Sequence, residues 1–193
     1  MEGFPRSPVT DLMVDIETFG SSHDTMLVSI GGVAFNEEEI TSKFEVNIDF
    51  VSQDKMRTID PKTLFWWFQK NHRAIPALHS PAPIPIKKAM TEFANWVAHT
   101  PHECIWANGA SFDLPILRHA LSQHRIPCPW KFWEELCMRP IRRIGQNLGI
   151  EWKDFITNES SDLNAHVGIN DAIMQAEYVQ AVMRKINERS EDD

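Results

Sequence analysis

The chain has 193 residues, 42% of them hydrophobic, and its 19 Lys and Arg side chains are outnumbered by 27 Asp and Glu, for a formal net charge of −8. This length predicts one domain over residues 1–193, with flexible tails at 1–10 and 190–193. The negative charge argues against binding of nucleic acid through a broad basic face, because that mode neutralises phosphates with Lys and Arg. A polyanion would have to be held locally, for example by divalent metals on clustered acids.

The sequence offers no membrane or export signal. No apolar run approaches the roughly 18 residues of a membrane-spanning helix, and the start of the chain has no run like that of a signal peptide. Cys104, Cys128 and Cys137 form no C-x-x-C pair, which favours reduced core thiols. A zinc site from Cys104 with His99 and His102 is an alternative, although its spacing fits no common zinc pattern. We therefore expect a soluble, cytoplasmic protein without a membrane partner.

The first part of the chain is predicted to form three strands in a meander. Residues 12–17 and 26–35 are apolar runs, and apolar residues alternate with polar ones over 43–50. Gly31 and Gly32 interrupt the second strand, which predicts either close backbone packing or a bulge there.

The rest of the chain alternates helices with short strands. Asp60 followed by Pro61 is typical of a helix start. Apolar spacing predicts helices over 62–71, 86–99, 111–124, 140–148 and about 172–186, and a buried strand over 104–107. The segment 130–137 fits neither element clearly. The order predicts an α/β fold, a three-layer sandwich in which helices flank a mixed five-stranded sheet.

An Asp-x-Glu pair ends the first predicted strand. Asp15 and Glu17 are two residues apart, so alternation along a strand directs both side chains to the same face. Two adjacent carboxylates repel each other unless a cation neutralises them, and a hard divalent metal is the natural partner. The alternative is that both lie beyond the strand end and are solvated.

Two further acids stand near predicted helix starts. Asn108 follows a buried strand, and Asp113 then lies in the first turn of a helix that Ser111 is placed to cap. His166 precedes Asp171 by five residues, about 140° on a helix, so both can face one site only if His166 lies in the preceding loop or first turn. Each pattern alone is also typical of an ordinary helix start.

Together, these motifs resemble the DEDDh exonucleases, a superfamily that includes RNase T, oligoribonuclease and polymerase proofreading domains. A strand ends in Asp-x-Glu, Asn108 and Asp113 span a strand, turn and helix, and His166 and Asp171 stand at the last helix. The resemblance covers residues 12–178 and implies an RNase H-like fold.

Several segments resemble the phage-type and Rv2179c-like branch of that superfamily. They are the VDIET segment at 14–18, Trp66-Trp67, the SFDLPIL segment at 111–117, and Phe132-Trp133. The branch contains phage DNA exonucleases and a mycobacterial RNase, so a phage or prophage origin is implied. The resemblance implies a metal-dependent 3′→5′ exonuclease that releases nucleoside 5′-monophosphates from single-stranded DNA or RNA with a free 3′ end.

The same resemblance implies roles for five catalytic residues. Asp15, Glu17 and Asp171 would hold one Mg²⁺, and Asp15 would bridge to a second Mg²⁺ that Asp113 holds directly or through water. Mn²⁺ would substitute. His166 would be the general base, since a pKa near 6.5 suits that role near neutral pH. Glu17 would also bond the terminal 3′-hydroxyl.

Five residues are expected to bind the substrate: Thr18, Phe19, Gly20, Asn108 and Trp66. The first three would line the pocket of the terminal nucleotide, with Phe19 stacking on a base or, alternatively, packing in the core. Trp66 and its neighbour Trp67 diverge by about 100° on a helix, so we expect one to serve the strand and the other to pack on the sheet.

The sequence does not decide the roles of two surface features, a group of arginines and an aromatic-rich surface. Arg139, Arg142 and Arg143 would hold the phosphate backbone or simply be solvated. Many similar enzymes are homodimers, and the aromatic-rich surface is compatible with a twofold interface.

Three rival functions share part of the pattern. An RNase H-like nuclease that cuts internally could use the same four acids, but His166 belongs to the exonuclease pattern. A non-catalytic nucleic-acid-binding module on the same fold would tolerate the loss of an acid, and all four are present. A metal-stabilised structural protein would not need an open site. DNA and RNA are not distinguished, because that choice depends on contacts to the 2′-hydroxyl.

Overall fold

The computed structural model describes residues 10–70, 81–156 and 168–191. The strands are β1 Asp11–Thr18, β2 Leu27–Phe35, β3 Ile40–Asn47, β4 Ile105–Ala107 and β5 Glu135–Cys137. The α-helices are α1 Pro61–Lys70, α2 Ile86–His99, α3 Ala110–Gln123, α4 Arg139–Asn147 and α5 Gly168–Glu191. No helix within these ranges is both long enough and apolar enough to cross a membrane.

The five strands form one mixed sheet in the order β3-β2-β1-β4-β5. β1, β2 and β3 pair antiparallel, which confirms the predicted meander. β4 and β5 continue the sheet parallel to β1. The carboxyl ends of β1, β4 and β5 therefore share one edge of the sheet, and the residues that follow these strands meet there.

Helices cover both faces of the sheet, so the three-layer prediction is confirmed. Alternation along β1 sends Leu12, Val14 and Ile16 into a core with α2 and α3. Met13 points to the opposite face and joins a second core with α4 and α5, in which Tyr178 is fully buried.

Gly31 and Gly32 allow close packing on both faces of β2. A Cβ at Gly31 would overlap the backbone carbonyl carbon of Gly168, at the start of α5. A Cβ at Gly32 would lie 2.8 Å from the ring of Trp96 on α2. The irregular pairings lie near the ends of the strands. Close packing is therefore the correct one of the two alternatives.

The start of α3 differs from the sequence prediction. Gly109 precedes the helix at φ +134°, in the region that favours glycine, and no side chain caps the helix. Ser111 is therefore not the capping residue. Pro115 is the sixth helical residue and lies in the second turn. A proline there cannot donate to the carbonyl of Ser111, yet the helix continues to Gln123.

The bounds of three other segments also differ from the sequence prediction. The segment 130–137, which the pattern did not assign, contains a short 3₁₀ turn at Phe132–Glu134 followed by β5. β3 begins three residues earlier than predicted. α5 continues through Glu191, so residues 190 and 191 are helical.

Candidate active site

Three carboxylates meet near the carboxyl end of β1. Asp15 and Glu17 project from β1, Asp171 projects from the first turn of α5, and one oxygen of each lies within 4.8 Å of the others. Both β1 acids lie inside the strand, so the alternative that places them beyond its end is wrong. His166 lies outside the described residues, and its place in the site stays a prediction.

The described part of the chain contains no second group of three or more His, Cys, Asp or Glu side chains that could hold a metal. Cys104, His99 and His102 therefore do not form the alternative zinc site. Nδ1 of His99 lies 2.7 Å from the Asn95 carbonyl oxygen, and Nδ1 of His102 lies 2.7 Å from the Thr100 carbonyl oxygen. The three cysteines are free and partly buried.

Asp113 completes the acidic lining from the side of α3. Its side chain is buried, and its Oδ1 accepts a hydrogen bond from the backbone N–H of Ile16 at 3.4 Å. A cleft of about 320 Å³ lies between β1, α3 and α5. Its lining consists of the four acids with Ile16, Asn108, Phe112, Met174 and Gln175.

Burial and mutual repulsion disfavour the ionised forms of these acids. The pKa of Asp15 is raised well above its usual value by burial and then by the charges of Asp113 and Asp171. Burial, and then the charges of Asp15, Asp171 and Asp113, raise the pKa of Glu17 well above its usual value. Burial raises the pKa of Asp113 to about 7, against the hydrogen bond from Ile16 and the charge of Arg139. A divalent cation would favour ionisation of all four, and their oxygen donors suit Mg²⁺ or Mn²⁺.

The residues after the Asp-x-Glu pair pack into a small apolar cluster. Thr18 and Phe19 are each 7% exposed, and the Thr18 hydroxyl donates to the Gly20 carbonyl at 2.6 Å. The Phe19 ring centroid lies 5.0 Å from that of Phe50 and 5.9 Å from that of Trp67. This packing is the core role that the sequence left open for Phe19. Stacking of Phe19 on a base stays a prediction.

The two tryptophans of α1 divide as expected. Trp67 is 2% exposed, and its Nε1 donates to the Thr18 carbonyl at 3.0 Å, which ties α1 to the end of β1. Trp66 is 40% exposed, beside the more exposed Phe65 and Phe68. Trp66 is thus the accessible one of the two tryptophans, and its contact with a substrate stays a prediction.

The three arginines at the start of α4 lie in different environments. The Arg142 guanidinium lies 4.6 Å from the ring centroid of Trp152. Arg139 is exposed and packs on the turn before α3, where a Cβ at Gly109 would lie 2.7 Å from its Nη2. Arg143 is exposed. Arg139 therefore brings a positive charge to the rim of the acidic cleft.

Gln175 is a residue of the cleft that the sequence reasoning missed. It is 2% exposed, and its Nε2 donates to Oδ1 of Asp15 at 2.7 Å. Gln175 follows Asp171 by four residues, and side chains four apart share a helix face. The four-residue spacing was therefore the sequence signal that could have placed Gln175 beside Asp171 at the site.

The fold and its acid cluster define the class, an α/β protein with an RNase H-like fold. Solved structures of exonuclease I share it. The E. coli enzyme in complex with a dA16 oligonucleotide has a TM-score of 0.68 over 92% of this chain at 13% identity. The enzyme from Methylocaldum szegediense has a TM-score of 0.63 over 94% at 16% identity. This chain spans 41% of each of those chains, and the likeness shows the fold alone.

The family follows from the sequence itself. Residues 10–183 match the family model described as the Rv2179c-like 3′-5′ exoribonuclease domain. The chain therefore belongs to this family of 3′→5′ exonucleases, as the resemblance predicted. No curated protein sequence matches the chain.

Proposed function

We propose that this chain hydrolyses the terminal phosphodiester bond of single-stranded nucleic acid from the 3′ end and releases nucleoside 5′-monophosphates. The observation that carries the proposal is the meeting of Asp15, Glu17 and Asp171 within 4.8 Å in a cleft that Asp113 also lines. Membership of an exoribonuclease family gives that cluster its chemical context.

In this proposal the four acids would hold two divalent ions. Asp15, Glu17 and Asp171 would hold one ion, and Asp113 with Asp15 would hold the other. Oxygen-only ligands favour Mg²⁺, with Mn²⁺ as a substitute. When bound, the ions would lower the pKa of an attacking water and stabilise the entering and leaving oxygens at phosphorus.

The protein's own groups would orient the reactants and move the proton. His166 would accept the proton of the attacking water. Glu17 would accept a hydrogen bond from the terminal 3′-hydroxyl, which makes cleavage depend on a free 3′ end. These assignments fit the DEDDh pattern.

The proposal also assigns substrate contacts to residues outside the four acids. Trp66 would stack on a base, Asn108 lines the cleft beside the acids, and Arg139 would contact a phosphate. Thr18, Phe19 and Gly20 would shape the end of β1 where the terminal nucleotide binds. The family description names ribonucleic acid, whereas the E. coli structure holds a DNA strand, so we propose single strands of either sugar as candidates.

The test uses 5′-labelled single-stranded DNA and RNA of one sequence, each with a free or a phosphorylated 3′ end. We expect a ladder that shortens from the free 3′ end with Mg²⁺ or Mn²⁺ and is absent with EDTA or in Asp15→Asn. Internal fragments from the blocked strand would instead indicate an endonuclease. Intact strands with folded, metal-loaded protein would contradict the proposal and favour a non-catalytic binding module.

A cytoplasmic location and a homodimer belong to the same proposal. Cell fractionation tests the first, and sedimentation equilibrium of the purified chain tests the second.

A further inference from the structure

Gln175 contacts the acid that lies at the centre of the proposed metal site. Its Nε2 donates to Oδ1 of Asp15 at 2.7 Å, across 160 positions of sequence. Both side chains line the cleft, and Gln175 is almost fully buried. This amide is the hydrogen-bond donor that the described residues offer to the Asp15 carboxylate.

The other end of the same amide is not satisfied. Oε1 of Gln175 is shielded from solvent, and no donor among residues 10–70, 81–156 and 168–191 bonds to it. A buried acceptor without a partner lowers the stability of the folded state. An apolar side chain of similar length, such as Met, would avoid that penalty at this position. Folding stability alone therefore does not explain a glutamine here.

Gln180 offers an internal comparison on the same helix. It is 5% exposed, and its Nε2 donates to the Asn36 carbonyl oxygen at 2.7 Å. Five residues along a helix is about 7.5 Å, so Gln180 lies beyond the acidic cleft. Its bond joins α5 to the end of β2 and involves no acid.

We propose that Gln175 is a positioning residue that holds the Asp15 carboxylate in the orientation that binds the divalent ions. The proposal rests on the metal-binding part of the proposed function. With one oxygen held by the amide, the carboxylate cannot rotate freely, and its remaining lone pairs keep a fixed direction. Partners of this kind behind a metal ligand typically change metal affinity or activity by about 10- to 100-fold when they are removed.

The test compares Gln175→Met and Gln175→Leu with the matched control Gln180→Met. Mn²⁺ binding is measured by calorimetry without substrate, and thermal unfolding is measured in EDTA. For both Gln175 variants we expect a Kd for Mn²⁺ that is about 10- to 100-fold higher than wild type. Their Tm in EDTA should stay close to that of wild type, because loss of the bond to Asp15 is offset by removal of the unsatisfied Oε1. Gln180→Met should lower the Tm and leave the Kd within about twofold, because it loses a bond that lies away from the site.

A wild-type Kd in both Gln175 variants would overturn the proposal, and so would an equal loss of affinity in Gln180→Met. Wild-type protein that binds no Mn²⁺ would refute both the metal site and the role of Gln175. Wild-type protein that binds Mn²⁺ but degrades no strand would refute only the nuclease function. In that case the Kd comparison would still decide the role of Gln175.

Discussion

Two aspartates on β1 have similar positions and different surroundings. Asp11 and Asp15 are four residues apart on one face of the strand, and both line cavities against α5. Burial raises the pKa of each carboxyl group.

Asp11 is satisfied by neutral donors from a neighbouring strand and its flank. Its Oδ1 accepts from the backbone N–H of Cys104 at 3.0 Å, and its Oδ2 accepts from Nε1 of Trp106 at 2.8 Å. These bonds oppose the effect of burial on its pKa. Asp11 therefore joins the start of β1 to β4 and needs no cation.

Asp15 meets other acids instead. The charges of Asp113 and Asp171 add to the effect of burial on its pKa, and the hydrogen bond from Gln175 opposes them. Burial alone thus does not identify a functional acid on this strand. The identity of the neighbours does, because only the acidic cluster becomes favourable when a cation binds.

The largest expected effect is that of Asp15→Asn. This change removes a ligand proposed for both ions, so we expect exonuclease activity to fall on the order of 10³-fold or more. Loss of one repelling charge should also raise the Tm in EDTA. Activity is measured on 5′-labelled strands, with Asp11→Asn as the matched control. Retention of more than a tenth of wild-type activity would contradict the assignment.

Gly31→Ala tests the backbone that brings α5 to Asp15. Gly31 pairs with Asp15 across β1 and β2, and the added Cβ would meet the backbone of Gly168. α5 must then move away and carry Asp171 with it, which we expect to lower kcat by about 100-fold. Gly32→Ala is the control, because its Cβ would meet Trp96 on the opposite face. Equal losses in the two variants would indicate general destabilisation.

The raised pKa of Asp113 predicts a pH effect on the metal-free protein. Its pKa is about 7 in the folded protein, against an ordinary value of 3.8. Between pH 3.8 and about pH 7, Asp113 is protonated in the folded state and ionised in the unfolded state. The free energy of unfolding therefore falls as the pH rises through this range. In EDTA, the Tm of Asp113→Asn minus that of wild type should grow from pH 4 to pH 7. Saturating Mg²⁺ should reduce the Tm difference between the two proteins at pH 8. A Tm difference in EDTA that does not change with pH would contradict the prediction.

The smallest effect on catalysis is expected for Asp11→Asn. The Asn side chain has one oxygen acceptor and one NH₂ group, whereas the Asp11 carboxylate has two acceptors. The NH₂ group would therefore face the N–H of Cys104 or of Trp106, and that hydrogen bond would be lost. We expect the free energy of unfolding to fall by about 1–3 kcal/mol, measured with urea. The Kd for Mn²⁺ should stay at the wild-type value. A weakened Kd would show that the two ends of β1 are not independent.

Much of the architecture could be predicted because it depends on local patterns. Alternation and helical spacing identified the meander and the helices, and residue type and order singled out Asp15, Glu17 and Asp171, whose carboxylates meet in the structure. β5 escaped detection because its three half-buried residues include Glu135 and form no apolar run like that of β4, so only the pairing with β4 defines it. The predicted Ser111 cap of α3 was wrong because Gly109, at φ +134°, precedes the helix and no side chain caps it.

The sequence by itself determined which side chains are available for chemistry, an acidic set with oxygen donors in the order of a known family. Only the tertiary structure decided which acid has neutral partners and which has charged ones. Gln175 reaches Asp15 across 160 positions, and Trp106 reaches Asp11 across 95. A local sequence pattern cannot predict such pairs, because β1 acquires these neighbours only when β4 and α5 pack against it.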